Sequence, residues 1–211
     1  MPGGGTLRLM QRGAEYSIML GSNELMNSRL SGSEEALATL TVDRIRHCRQ
    51  PDIVIGGLGM GFTLRATLQA LTGNARITVA ELVPAVITWA RGPLAGLFDA
   101  CLDDPRVGIH EGDVGPLIAS QRKAWDAILL DVDNGPEGLT RKANDDIYDI
   151  GGLKAAHQAL RPGGVLSVWS SGPDQAFTKR LRQVGFEVEE MRVRARGKKR
   201  GARHIIWLAI K

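Results

Sequence analysis

From Pro51 onward, short apolar runs alternate with stretches whose apolar residues recur at helical spacing. Ile53-Val54-Ile55, Ile128-Leu129-Leu130 and Val165-Leu166-Ser167-Val168 are apolar at consecutive positions. Strands read that way when both of their faces are covered, as in a parallel sheet flanked by helices. The pattern predicts strands at 52–56, 76–81, 107–111, 126–131 and 164–169, and helices near 62–71, 84–91, 114–121, 150–160 and 173–183. Arg161-Pro162-Gly163-Gly164 should stop one helix and turn into the next strand. Phe186 to Val193 and His204 to Ile210 read as two apolar strands of an antiparallel hairpin. Five parallel strands and this hairpin make an α/β fold, a doubly wound, seven-stranded, mostly parallel sheet.

Residues 1–30 follow another rule and are expected to form a small N-terminal β element, with 31–211 as the main domain. Leu7, Leu9 and Gln11 alternate with Arg8, Met10 and Arg12, and glycine turns at Gly13 and Gly21 separate Tyr16–Leu20 and Glu24–Met26. This is an antiparallel pattern. Ser31-Gly32-Ser33-Glu34-Glu35 then opens a helix to about Arg46, with Ser31 or Ser33 as its cap and the acids favoured by the helix dipole.

A chain of 211 residues suffices for one sizeable core. No apolar run approaches the roughly 18 residues of a membrane span, and Met1-Pro2-Gly3-Gly4-Gly5 does not read as a signal peptide. A cytoplasmic location and no membrane partner are expected. Cys48 and Cys101 lack metal-ligand spacing and are expected to be structural thiols; His110 is expected to be a structural histidine, and His157 and His204 have no metal-ligating companion at useful spacing. No metal is inferred.

The chemistry concentrates at predicted strand ends. The first strand runs into Gly56-Gly57-Leu58-Gly59-Met60-Gly61, where glycines let the backbone pass close to a ligand. The second ends in Glu81, about 20 residues on, where an acid accepts ribose hydroxyls. The third ends in Glu111-Gly112-Asp113, and the fourth in Asp131-Val132-Asp133-Asn134. Each acid alone could be a turn or a helix cap; all of them on the carboxyl edge of one sheet point to a nucleoside ligand. Asp113 would accept from the adenine amine while the amide of Val114 reads the ring. A sulfonium, a fixed cation, would be stabilised by such carboxylates, whereas a pyrophosphate would not. The strand order expected is that of class I S-adenosylmethionine-dependent transferases.

On Gly57 to Arg65, Glu81-Leu82-Val83-Pro84, Glu111-Gly112-Asp113 and Trp125 to Asp131, the chain resembles the spermidine/spermine synthase family, the polyamine aminopropyltransferases. The resemblance covers most of the chain, including the N-terminal β element. It implies a cofactor-binding set of Gly57, Gly59, Gly61, Glu81, Leu82, Asp113, Val114 and Asp131. It also implies Asp131 as the group that activates or orients the acceptor amine, Asp133 as a second acid, and a homodimer. Two departures stand out. Met60 occupies the place of an aspartate in the family's Gly-Gly-Gly-Asp-Gly-Gly loop, and Ser33-Glu34-Glu35 replaces Tyr-His-Glu. Glu34, Glu35, Asp133 and Asp146 are the candidate replacements for the lost amine-holding groups, and Tyr148 is the tyrosine kept in the acceptor region.

The implied reaction moves an aminopropyl group from decarboxylated S-adenosylmethionine to a small-molecule amine, leaving methylthioadenosine. The alternative within the same fold is methyl transfer from S-adenosylmethionine, leaving S-adenosylhomocysteine; Met60 in place of an acid leans that way, the N-terminal element and acidic loop the other. A third reading is a non-catalytic nucleoside-binding module whose basic hairpin grips a partner. Arg192, Arg194, Arg196, Lys198, Lys199, Arg200 and Arg203 cluster there. No aromatic residues interleave with them to stack on bases, so a nucleic-acid partner is the weaker expectation. Of the four tryptophans, Trp169 at a strand end is the one expected near the pocket; Trp89, Trp125 and Trp207 are expected to pack.

Overall fold

The computed structural model describes residues 6–132, 136, 146–196 and 200–211. Three strands, β1 (Leu7–Arg12), β2 (Glu15–Leu20) and β3 (Asn23–Asn27), form an antiparallel sheet in the order β1-β2-β3. Helix α1 (Gly32–Arg44) leads into β4 (Asp52–Gly56), and α2 (Phe62–Ala70), β5 (Arg76–Glu81), α3 (Pro84–Arg91), α4 (Ala95–Phe98) and β6 (Val107–Glu111) follow. After α5 (Val114–Ala119) and β7 (Trp125–Leu130) come α6 (Ile150–Ala159), β8 (Leu160–Ser170), α7 (Gln175–Val184), β9 (Glu187–Arg196) and β10 (Arg200–Ile210).

The main sheet has seven strands in the order β6-β5-β4-β7-β8-β10-β9. β4, β5, β6, β7 and β8 pair in parallel, while β10 runs antiparallel to both β8 and β9. Consecutive apolar positions go to opposite faces. Ile53, Ile55 and Leu129 join a core with Leu37 of α1, Leu64 of α2 and Val86 of α3. Val54, Ile128 and Leu130 join the other core with Ile118 of α5, Leu153 of α6 and Phe177 of α7. Both faces are thus covered, as the consecutive apolar runs require. The expected doubly wound architecture is the one observed.

Two local expectations need correction. Residues 161–164 do not form a turn ahead of the strand: β8 starts at Leu160, which pairs with Trp125, and a register shift between Trp125 and Ala127 absorbs the bend. The end of the chain holds that segment, because Gly163 N–H donates to the carbonyl of Lys211 and Lys211 N–H to that of Gly164. At α1, Ser31 occupies the cap position without a side-chain cap bond. Ser33 is buried and turned elsewhere.

A partly buried ionic cluster sits at the amino ends of β4, β7 and β8, away from the glycine turn. Arg161 reaches Asp52 at 2.7 Å and Asp126 at 2.5 Å, and Asp126 accepts from the backbone N–H of Asp52. It ties the first residues of β4 to β7 and β8, so the strand ends at the opposite edge are held in register. Among the described residues, no helix is long and apolar enough to cross a membrane.

Candidate active site

β4 is the strand at which the order of the sheet reverses, and open α/β sheets bind ligands outside the carboxyl ends of strands at that point. A cavity of about 300 Å³ lies there. Gly57, Glu81, Asp113 and Asp131, delivered by the ends of β4, β5, β6 and β7, all line it. Leu82 and Val114 line it as well. The N-terminal sheet closes it from above with Leu7, Ile18, Leu25 and Met26, and at Gly59 a Cβ would come within 2.9 Å of the Met26 sulfur.

The turn after β4 folds as it does because Gly57 and Gly59 both take positive φ. Gly57 packs against the backbone of the neighbouring strand: a Cβ there would lie 2.5 Å from the carbonyl oxygen of Asp131. Glu81 braces the turn. Its Oε2 accepts from the N–H of Leu58 at 3.0 Å and its Oε1 from that of Val83 at 2.8 Å. Burial pushes the Glu81 carboxyl above the usual carboxylate range, opposed by these backbone amides. Asp113 caps α5, accepting from Gly115 N–H at 2.8 Å through Oδ1. Cap and cavity wall are therefore one residue, and a capping role does not compete with a ligand role.

Asp131 accepts from the Thr63 hydroxyl at 2.6 Å. Burial, reinforced by the nearby charge of Glu34 and opposed by the Thr63 bond, pushes its carboxyl up to about 7. Glu34, also in the cavity wall, accepts from the Ser33 hydroxyl at 2.7 Å, and burial raises its carboxyl too. Ser33 Oγ in turn lies 2.9 Å from Nδ1 of His204, a half-buried residue of β10 that also lines the cavity. Trp169 lines it beside His204, the two rings meeting edge-on with centroids 4.8 Å apart.

Other candidates fall elsewhere. Gly61 is not in the cavity wall; it packs against the ring of Phe98. Met60 is fully buried in the core, so its side chain neither adds to nor subtracts from the cavity's charge. Glu35 turns toward Arg65 at 3.8 Å, and Asp146 is exposed. Tyr148, expected in the acceptor region, is buried edge-on against Phe177, with its hydroxyl 3.4 Å from the Val132 carbonyl. Asp133 lies outside the described residues, as do Lys198 and Lys199 of the basic turn. Among the described residues, no cluster of three or more His, Cys, Asp or Glu is placed to hold a metal ion. Ser33 and His204 are the residues that motif reading missed, because neither belongs to a strand-end acid pattern.

Comparison with known proteins gives a consistent picture. No family model matches the chain. It is similar to polyamine aminopropyltransferase 1 of Streptomyces coelicolor, 28% identical over 67% of this chain and 27% of that protein. It is also similar to the polyamine aminopropyltransferases of Nitrosomonas europaea, 31% identical over 57% of this chain and 35% of that protein, and of Mycobacterium tuberculosis, 30% identical over 64% and 27%. The matched segment thus spans about a quarter to a third of the length of these relatives. In three dimensions it superposes on the spermidine synthase of Thermotoga maritima with a TM-score of 0.75, at 19% identity, covering 97% of this chain and 72% of that one. A spermidine synthase in complex with the transition state analogue AdoDATO gives a TM-score of 0.73 at 19% identity, over 97% and 71%. The chain is thus similar in sequence to polyamine aminopropyltransferases over part of their length, and it shares the fold of spermidine synthases.

Proposed function

We propose that this protein transfers an aminopropyl group from decarboxylated S-adenosylmethionine to a small amine. The observation that carries the reading is the charge of the cavity. Glu34, Glu81, Asp113 and Asp131 line it, and among the described residues no lysine or arginine does. The decarboxylated donor is a dication at neutral pH, with a sulfonium and a primary ammonium. S-Adenosylmethionine adds a carboxylate that would enter an acid-lined space without a cationic partner, and an unpaired buried charge is costly. The methyl-transfer alternative therefore loses the support that Met60 lent it. The similarity to polyamine aminopropyltransferases points the same way.

In this reading Glu81 takes the ribose hydroxyls and Asp113 the adenine amine, with the glycine turn against the nucleoside. The acceptor amine arrives protonated and gives its proton to Asp131. Its lone pair then forms a bond to the carbon attached to sulfur, the C–S bond breaks, and its electrons return to sulfur. Neutral methylthioadenosine leaves, and the positive charge passes from sulfur to the new secondary ammonium. The leaving thioether needs no proton, so the enzyme's tasks are positioning and removal of one proton. A cavity of about 300 Å³ stands at the small end of ligand sites, suited to one nucleoside and a short amine. A cytoplasmic setting, with Cys48 and Cys101 as free thiols, and a homodimer belong to the same proposal.

Calorimetry with methylthioadenosine, decarboxylated S-adenosylmethionine and S-adenosylmethionine tests it. The decarboxylated donor is expected to bind at least about 100-fold tighter than S-adenosylmethionine, as one uncompensated charge would require. Glu81→Ala should weaken methylthioadenosine by about 10- to 100-fold, through lost ribose bonds and a loosened turn. Preference for the carboxylate-bearing donor would turn the assignment to methyl transfer. Binding of none of the three would end it.

A further inference from the structure

One of the acids that line the cavity is not supplied by the strand-end pattern. Glu34 comes from the first turn of α1, and its carboxylate is held by a chain of side chains running from Glu34 through Ser33 to His204. The Ser33 hydroxyl donates to Glu34 Oε2, which leaves the Ser33 oxygen to accept from His204 in its Nδ1–H tautomer. The imidazole is fixed in turn by the edge of Trp169. The chain spans three elements: α1 with Glu34 and Ser33, β10 with His204, and β8 with Trp169. Three elements thus converge to orient one carboxylate that lines the cavity.

We propose that Glu34, oriented by Ser33 and His204, is the counter-charge that holds the acceptor's reacting ammonium beside Asp131. This rests on the transferase reading and adds the acceptor half of the site. It assigns different work to the two acids. Glu34 stays ionised and binds the cation, while Asp131 takes the proton. Ser33 and His204 are positioning residues, because they act through Glu34 and do not touch the reacting atoms.

The charged and titratable groups around the pair fit this division. Glu35 follows Glu34 on α1 and is drawn off toward Arg65 of α2. Asp131 stands at the end of β7 with Thr63 of α2 on one oxygen. His204 on β10 is kept neutral by burial, which lowers its imidazole below the usual range. Burial raises the Glu34 carboxyl and the Ser33 bond opposes that rise by favouring the charged form, and that charge in turn raises Asp131. Two carboxylates that share a site ionise together readily only when a cation joins them; otherwise one of them keeps its proton. The pair is thus matched to an ammonium.

The test uses the full chain saturated with methylthioadenosine, with putrescine and n-butylamine as probe amines. Calorimetry should show both amines binding to the wild type. Glu34→Gln should weaken them by about tenfold or more, while methylthioadenosine affinity stays within about twofold. Ser33→Ala and His204→Phe, which leave the carboxylate in place, should weaken them by about threefold to tenfold. Titration of the Asp131 carboxyl by carbon NMR is the second readout: in Glu34→Gln its midpoint should fall by about one pH unit, a change that a merely structural role would not produce. Wild-type amine affinity in Glu34→Gln overturns the proposal, as does failure of either amine to bind the nucleoside-loaded wild type. If methylthioadenosine itself does not bind the wild type, the transferase reading is what fails. The Asp131 midpoint in Glu34→Gln then still decides whether the two acids are coupled.

Discussion

Asp131→Asn is expected to lower aminopropyl transfer about 1000-fold and, at pH 8, to make the protein more stable. The two effects have one origin. Removal of a proton by a positioned base contributes roughly 10²- to 10⁴-fold, and an amide cannot take that proton. The same carboxylate is poorly accommodated as an anion. Its folded pKa is raised from 3.8 to about 7 by burial and Glu34. Between those values the folded state binds more protons than the unfolded state, so stability falls as pH rises. The contribution is fully present below about 4 and is lost as pH rises through about 7. Asparagine keeps the shape and has nothing to ionise. A gain on the order of 2 kcal/mol at pH 8, discounted because the residue is partly open to solvent at the cavity wall, corresponds to a Tm higher by about 4–8 °C. The gain should shrink toward pH 4. In the wild type, kcat/KM should rise through a limb near pH 7, and that limb should be absent from the residual activity of the variant. Activity within tenfold of wild type would remove Asp131 from proton transfer. An unchanged Tm at pH 8 would mean that its carboxylate is not strained.

The sequence makes one half of this site visible and hides the other, for reasons of topology. Strands of a parallel sheet all point the same way, so an acid after each apolar run lies on the same edge. Glu81, Asp113 and Asp131 could be placed together from spacing alone, and they meet in the cavity. Gly61, read together with them, stands at the cap of α2, where a Cβ would meet the ring of Phe98. His204 follows the opposite geometry. β10 is antiparallel to β8, with Ile205 opposite Ser170, so its amino-terminal end reaches the edge where the other strands finish. A histidine at the head of the final apolar run carries that signal, but only once the hairpin is known to return beside β8. Ser33, 171 positions away, cannot be paired with it by any local pattern. Tyr148 shows the converse: a residue type that suits an amine site is used for packing, because the chain turns it into the core against Phe177.

The glycine turn allows the sharpest separation of fold from site. Gly57→Ala and Gly13→Ala both place a side chain on a residue with positive φ, +92° and +60°. That alone costs about 1 kcal/mol. At Gly13 nothing lies within 4 Å of the new methyl group, so the cost should stop there and methylthioadenosine affinity should not change. At Gly57 the methyl group would lie 2.5 Å from the Asp131 carbonyl oxygen. It could be accommodated only by moving the end of β4 from the end of β7, where the Asp131 N–H donates to the Gly56 carbonyl at 3.0 Å. Overpacking of this kind adds roughly 1–3 kcal/mol. The displaced backbone carries the candidate base on one side and the nucleoside cradle on the other. Gly57→Ala should therefore lose about 2–4 kcal/mol in urea unfolding and weaken methylthioadenosine more than about 100-fold. A Gly57→Ala protein that is destabilised yet binds methylthioadenosine normally would keep the turn as a folding device and separate it from the ligand. Equal losses in the two variants would show that backbone conformation, not the approach to Asp131, is what the glycine provides.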